Sequence, residues 1–328
     1  MIACHSAVMI ATLLLALASP AAAVAPPVDP LTAQVEMGDV GRFAAIFDAA
    51  GGTPSAEQLQ RGYLDPGSEG VRVFTPNRIE NAAHLAKAIA ADRSGYERAL
   101  RVCLPVVRQT QGELRATYLA LHGLFPDKPL PRIFLVMGAG NSGGTAAPGV
   151  QVLGLEVLCQ ISVTPEALRD TLRSFYAHET VHALQGEAEA AAEVPGNGGV
   201  LLGSALIEGA ADFIATLVTG RQIDPARAAW GLGDERALWA RFEADLAITR
   251  SASWSDLKRG TPVGDAFYRW IGNAGSPPDG WKSEAGYWIG QRIWQRWYDK
   301  QPDKQVAIRR LMTVERPTEI LAEGRYTG

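Results

Sequence analysis

The segment "SFYAHETVHALQG", residues 174–186, decides how the rest of this chain is interpreted. It contains two histidines four positions apart, His178 and His182, and Glu179 directly follows the first of them. On a helix, residues i and i+4 lie on the same face about one turn apart. A helical segment would therefore allow both imidazoles to point at one metal ion.

The flanking residues predict such a helix. Thr164 is a good N-cap, Pro165 fits the first helical position, and Gly186 ends the pattern. A histidine pair with an adjoining glutamate is the H-E-x-x-H arrangement, in which zinc acidifies a water molecule and the glutamate takes its proton. The alternative is two ordinary histidines on one helical turn.

A catalytic zinc site needs a third protein ligand and one open position. No histidine follows His182, so a third ligand downstream must be a carboxylate, and Glu208 in "LIEGAADF" is the best candidate. An unpaired carboxylate in so apolar a stretch would be costly without a metal or a hydrogen-bond donor. Asp212, one turn later, has the reach to orient a ligand imidazole through its other N–H. The alternative for this pair is one acid at a helix N-terminus and one on the surface.

These residues resemble a known family. The H-E-x-x-H motif followed by "EGAAD" (residues 208–212) looks like the gluzincin group of zinc metallopeptidases. The stretches "AHETVHALQ", "LIEGAADFIATLVTG", "GNSGGT" and "GYWIGQRIW" are similar to a bacterial family of predicted secreted zinc-dependent proteases of unknown substrate, across roughly residues 130–300. The resemblance implies Zn²⁺ held by His178, His182 and Glu208, Glu179 as general base, and a peptide or protein substrate.

Many gluzincins stabilise the oxyanion with a downstream histidine or tyrosine, and this chain has no such histidine. Tyr287, on a predicted amphipathic helix over 284–298, is our first choice, with Arg292 behind it. The alternative for Tyr287 is a core aromatic residue with a hydrogen-bonded hydroxyl.

We predict an α+β fold that is mainly helical, with a zincin-like core and a small β-sheet or hairpin beside the zinc-binding helix. Residues 24–130 read as a helical region, and 131–328 as the catalytic region of the same compact unit. The β-prone stretches Ile133–Met137 and Gln151–Val157 are joined by a glycine-rich turn.

The strand "VQVLGLEVL" is interpreted as a sheet edge that pairs with an extended peptide. Glu156 and the Gly143–Gly144 turn would then border the cleft. The alternative is a plain structural strand.

The first 23 residues lack Lys, Arg, Asp and Glu, are almost wholly apolar from position 7 to 18, and end in small residues, which resembles a secretory signal peptide. A membrane anchor would need roughly 20 apolar residues. We therefore expect export to the periplasm or the exterior, without stable membrane insertion after cleavage of residues 1–23. Cys103 and Cys159 remain after that cleavage, and they can pair if the fold brings them together.

Composition narrows the possible functions. The chain has 328 residues, 47% of them hydrophobic and 20% charged, with a net charge of −4. This balance gives no sign of the basic patch that nucleic-acid binding requires. The leading hypothesis is an exported zinc metallopeptidase. The alternatives are a noncatalytic, zinc-stabilised binding or scaffold protein of the cell envelope, and a helical interaction protein without metal.

Overall fold

A computed structural model describes residues 28–186 and 198–328. The predicted signal peptide, residues 1–23, lies outside this part of the chain, as does most of the connector that follows Gly186. The described residues form many helices around one small mixed sheet, which confirms the α+β, mainly helical class.

The strands are β1 (Val35–Glu36), β2 (Arg132–Val136), β3 (Gly144–Ala147) and β4 (Val150–Gly154). The helices before the main part of the sheet are α1 (Gly38–Ala49), α2 (Ala56–Leu59), α3 (Glu69–Phe74), α4 (Ala82–Ala91), α5 (Arg93–Arg98), α6 (Leu104–Gln109) and α7 (Gln111–Leu124). Three π-helical segments, Gln60–Leu64, Thr75–Ile79 and Ala99–Cys103, continue α2, α3 and α5.

The helices after the sheet are α8 (Leu155–Ile161), α9 (Pro165–Gln185), α10 (Gly199–Thr219), α11 (Pro225–Gly233), α12 (Glu235–Thr249), α13 (Pro262–Tyr268), α14 (Ala285–Lys300), α15 (Lys304–Arg310) and α16 (Pro317–Gly324). A short 3₁₀ turn spans Trp254–Asp256. The Thr164 hydroxyl caps α9 and Gly186 ends it with a positive φ of 61°, as predicted.

Of the two predicted alternatives, a small sheet or a hairpin, the structure has the small sheet. Its order is β1-β2-β4-β3; β1, β2 and β4 are parallel, and β3 is antiparallel to β4. Parallel neighbours cannot be joined by a tight turn, and the connection from β2 to β4 contains the additional strand β3. The predicted second strand was too long, because residues 155–157 already belong to α8. The N-terminal region is also not wholly helical, since it contributes β1.

The prediction that "VQVLGLEVL" forms an edge strand is wrong. Its β4 portion lies between β2 and β3, and all five of its residues are buried. The edge of the sheet next to α9 is β3 instead. Gln151 of β4 joins the sheet to α9, because its amide donates to the Phe175 carbonyl at 2.7 Å and its oxygen accepts from the Thr180 hydroxyl at 2.8 Å. Thr180 faces the sheet, and this sets the rotation of α9.

Helix α10 is the central helix of the second half. Among the described residues it alone has the length and composition to cross a membrane, and 83% of its most apolar window is buried inside the protein. It packs against α9 on one side and α14 on the other. A Cβ on Gly209 would lie 2.2 Å from the backbone of Gly290, so the glycine in "EGAAD" permits a close crossing of α10 and α14. This crossing brings α14 next to the predicted metal ligands.

One continuous hydrophobic core extends from Ala33 to Tyr326, across the predicted boundary at residue 130. Cys103 and Cys159 are joined in a disulfide, with Cα atoms 5.8 Å apart. The bond connects the N-terminal helices to α8, immediately before the helix that carries the two histidines.

Candidate metal centre

The three predicted ligands lie together between α9 and α10. The Nε2 atoms of His178 and His182 are 3.0 Å apart, and the Glu208 Oε2 atom lies 3.3 Å from the first and 3.1 Å from the second. The side chains are 12%, 19% and 21% exposed, so the cluster is enclosed but still accessible. Glu208 is 30 and 26 positions from the two histidines in sequence, yet the three ligand atoms lie around one point.

The opposite ring nitrogens of the two histidines are held by acceptors. His178 Nδ1 donates to Asp212 Oδ1 at 2.9 Å, and His182 Nδ1 donates to Gln185 Oε1 at 2.9 Å. A proton fixed on Nδ1 of a neutral imidazole leaves the lone pair on Nε2. Both lone pairs consequently point toward the Glu208 carboxylate, an arrangement that a bound cation or a shared proton would satisfy.

The pKa shifts of the three clustered side chains also favour a positive charge between them. Burial lowers the pKa of His178, but its hydrogen bonds to Asp212 and Glu208 outweigh burial and raise that pKa to about 10. Burial also lowers the pKa of His182, and the charge of Glu208 reverses the effect, so the net change is upward. For Glu208, burial raises the pKa, but the two histidines lower it well below its usual range. The cluster therefore favours a positive charge at its centre.

The separations of the three atoms fit a single metal ion. Tetrahedral ligands with bonds of about 2.0–2.1 Å lie about 3.3 Å from one another, close to the 3.0–3.3 Å observed here. His178, His182 and Glu208 form the group of described residues able to hold a metal ion. The donor set of two nitrogens and one oxygen suits a divalent transition metal, and three protein ligands leave a position open.

Glu179 lies beside this cluster and remains free. The carboxylate has no hydrogen-bond donor among the described residues, and it lines a cleft of about 920 Å³ with His178, Asp212 and Tyr287. Neighbouring positions on α9 place His178 toward α10 and Glu179 toward the cleft. A carboxylate with no structural partner, next to a cluster that could hold a metal ion and open to solvent, is available to accept a proton from a water molecule.

Tyr287, the residue predicted to stabilise the oxyanion, lies beside His178 in the candidate metal centre. Its ring stacks parallel to that of His178, with centroids 5.8 Å apart, and its hydroxyl has no hydrogen-bond partner among the described residues. Burial raises the pKa of Tyr287 well above 10, and the charges of Glu208, Glu284 and Glu179 add to this effect. The hydroxyl therefore keeps its proton and can donate it in a hydrogen bond.

Arg292 does not belong to the centre. Its Nε donates to Glu235 at 2.8 Å, away from the cleft. Five residues along a helix correspond to a rotation of about 140° from Tyr287, which places Arg292 on another face of α14.

Glu156 was also wrongly assigned to the cleft border. It is buried and accepts hydrogen bonds from the backbone amides of Gly138 and Gly140, at 2.9 and 3.2 Å. Burial raises the pKa of Glu156 to about 7. This residue shapes the glycine-rich loop from inside the protein. Gly143 and Gly144 are nearer to the cleft, because they pack on the Phe175 ring, which lines it.

Arg227 and Gln185 also support the site, and neither was identified as a site residue from the sequence. Arg227 is buried, donates to Asp212 Oδ2 at 2.6 Å, and places its guanidinium 5.1 Å from the centre of the Tyr287 ring. It thereby fixes both the carboxylate that orients His178 and the tyrosine that stacks on it. Gln185 had one signal in the sequence, its position one helical turn after a ligand histidine.

The chain was also compared with known proteins. No protein-family model, curated protein or solved structure matches it.

Proposed function

We propose that this chain is an exported, zinc-dependent metallopeptidase with a zincin-like core. The observation that carries the proposal is Glu179, a carboxylate without a partner beside the convergent His178, His182 and Glu208 atoms in an open cleft. Two histidines, one carboxylate and an open position form a donor set of catalytic zinc sites. A purely structural zinc site would close the fourth position with another protein ligand.

When bound, Zn²⁺ supplies a Lewis acid that lowers the pKa of a coordinated water molecule toward about 7. Glu179 accepts the proton of the attacking water and returns it to the leaving amine. Tyr287 donates a hydrogen bond to the carbonyl oxygen as negative charge develops there. Asp212 and Gln185 keep the two imidazoles in the required tautomer and orientation.

A peptide substrate is supported by the edge of the sheet. Strand β3 has β4 on one side only, and Gly144 at its start packs on Phe175 of α9, close to the histidines. Extended peptides bind to such edges through main-chain hydrogen bonds, independently of side-chain identity. A peptide added to β3 would lie alongside the zinc-binding helix.

Export is supported by the Cys103–Cys159 disulfide, because such bonds persist in oxidising compartments. The signal-peptide pattern of residues 1–23 points in the same direction.

The first rival is a zinc-stabilised binding or scaffold protein of the same fold, which would bind zinc but turn over no peptide. The second is a helical interaction protein without metal, in which a chelator would change nothing. The unpartnered Glu179 favours the peptidase hypothesis over the scaffold hypothesis, because a noncatalytic zinc site does not require a free carboxylate at this position.

The test compares wild type, Glu179→Gln and the control Glu166→Gln, a matched substitution at an exposed position on the same helix. Zinc content and cleavage of a mixed peptide library are measured with and without chelator. Wild type and the control should bind about one zinc per chain and cleave peptides, whereas Glu179→Gln should bind zinc without cleavage. A Glu179→Gln variant that cleaves normally would refute the mechanism, and zinc-loaded wild type without activity would favour the scaffold.

A further inference from the structure

Arg78 belongs to the N-terminal region, yet the fold carries it to the glycine-rich loop that precedes β3. It lies in the π-helical segment after α3, where Asn77 has a positive φ of 63°. Asn141 of the glycine-rich loop donates to the Arg78 carbonyl at 3.1 Å. The two segments are thereby fastened to each other, so the position of Arg78 relative to β3 is defined.

The Arg78 side chain is half-buried and carries a charge without a matching anion. Its Nε approaches the Ser142 hydroxyl at 3.4 Å, and its guanidinium lies 5.7 Å from the centre of the Phe74 ring. Among the residues that the structure describes, it forms no ion pair with a carboxylate. Burial lowers the pKa of Arg78, and the negative charge of Glu179 opposes this effect.

The position of Ser142 relates Arg78 to the substrate path. Ser142 lies two residues before β3 begins, and its hydroxyl donates to the Gly144 carbonyl at 2.8 Å. Antiparallel strand pairs outnumber parallel ones about two- to threefold. A peptide added antiparallel to β3 has its C-terminal part beside the start of that strand. With the scissile bond held at His178, His182 and Glu208, Arg78 would face the residues that follow that bond.

The charges of Glu179 and Arg78 indicate which charged group of a bound peptide Arg78 would bind. A substrate carboxylate near Glu179 is repelled by the general base, and a partly desolvated arginine offsets that repulsion. A guanidinium also binds a carboxylate through paired N–H donors. We propose that Arg78 determines specificity by binding a substrate carboxylate on the C-terminal side of the scissile bond. The inference rests on the proposed peptidase function.

Such a carboxylate is either the free C-terminus of a short peptide or the side chain of Asp or Glu. Peptides that zinc-loaded wild type cleaves in the mixed library are resynthesised in three forms. One form keeps a free C-terminal acid, one is amidated, and one has every Asp and Glu replaced by Asn and Gln. The first two forms test the C-terminal carboxylate, and the third tests acidic side chains.

The enzymes compared are wild type, Arg78→Gln, Arg78→Lys and the control Arg61→Gln, which removes an exposed arginine that pairs with Glu57. Arg78→Gln should lower kcat/KM about ten- to hundredfold on the carboxylate-bearing form, mainly through KM, and leave the matching neutral form unchanged. Arg78→Lys should recover part of the loss, and Arg61→Gln should behave as wild type.

Two results would overturn the inference. Equal loss of kcat on charged and neutral peptides would assign Arg78 to the oxyanion instead, and unchanged kinetics would remove it from the substrate path. Failure of the proposed function is distinguishable from both, because zinc-loaded wild type would then cleave no peptide, and the inference would fall with it.

Discussion

Replacing Asp212 by asparagine tests the support of the metal centre, because this carboxylate is 2% exposed and serves two partners. Oδ1 accepts from His178 Nδ1 at 2.9 Å, and Oδ2 accepts from Arg227 Nη2 at 2.6 Å. An amide of the same shape offers one acceptor and one donor, so it cannot satisfy both neighbours. Either the imidazole loses its fixed tautomer or the arginine faces another donor.

The expected loss is about 10- to 100-fold in zinc affinity, equivalent to about 1.4–2.7 kcal/mol. The assay is competition with a chromophoric zinc chelator at constant pH, after circular dichroism has established that the variant is folded. Asp170→Asn is the matched control, because Asp170 lines the same cleft but pairs with Arg173 and Arg221 and not with a ligand histidine.

Removal of the Asp212 charge also leaves the buried Arg227 without a counter-charge, which costs about 3–5 kcal/mol of stability. Adding Arg227→Met to Asp212→Asn should recover much of this stability without restoring zinc affinity. If the zinc affinity of the Asp212→Asn single variant lies within about threefold of the wild-type value, the argument that Asp212 positions a ligand is refuted.

Four further predictions follow from the same structure. Replacing both Cys103 and Cys159 by alanine should lower the free energy of unfolding by about 4 kcal/mol in urea, the chain-entropy value for cysteines 56 residues apart; a loss below about 1 kcal/mol would contradict it. Gln185→Leu should weaken zinc binding about tenfold or more in the chelator assay, whereas Gln185→Glu, which keeps an acceptor, should bind nearly as wild type. Gly209→Ala should cost about 1–3 kcal/mol in thermal unfolding, because its Cβ would meet the backbone of α14 at 2.2 Å, and an unchanged melting temperature would refute that contact. The pKa of His178 is raised from 6.5 to about 10 on folding, so its contribution to the stability of the chelator-stripped chain is complete below pH 6.5 and is lost as pH rises toward 10; stability that increases over this range would contradict the assignment.

The sequence predicted the group of residues that could hold a metal ion, because their arrangement is governed by helical periodicity. His178 and His182 are related by one helical turn, and so are Glu208 and Asp212. The chain lacks other downstream histidines, which left a carboxylate as the third ligand. Only the approach of α9 to α10 had to be assumed, and the structure places the ligand atoms of the two helices within 3.3 Å of each other.

The sheet was less predictable, since strand order depends on residues far apart in sequence. Nothing local indicates that Val35–Glu36 joins Arg132–Val136, or that β4 lies inside the sheet. The short apolar run at residues 155–157 has no period that separates a strand from a buried helix, and it proved to be helical.

The contacts of Arg227 and Arg78 were also not predictable from local sequence patterns. Arg227 meets Asp212 across the turn between two helices, a contact that no fixed spacing encodes. Arg78 reaches the glycine-rich loop from more than 60 positions away. Nothing in the sequence distinguishes either arginine from the others, because these contacts depend entirely on tertiary packing.

X-ray absorption at the zinc edge of the purified, zinc-loaded mature chain tests the central claim most directly. We expect about one zinc per chain, bound by two imidazole nitrogens and by oxygen at about 2.0–2.1 Å, with loss of one imidazole in His182→Ala. Absence of bound zinc, a sulfur ligand at about 2.3 Å, or an unchanged zinc environment in that variant would contradict a site formed by His178, His182 and Glu208.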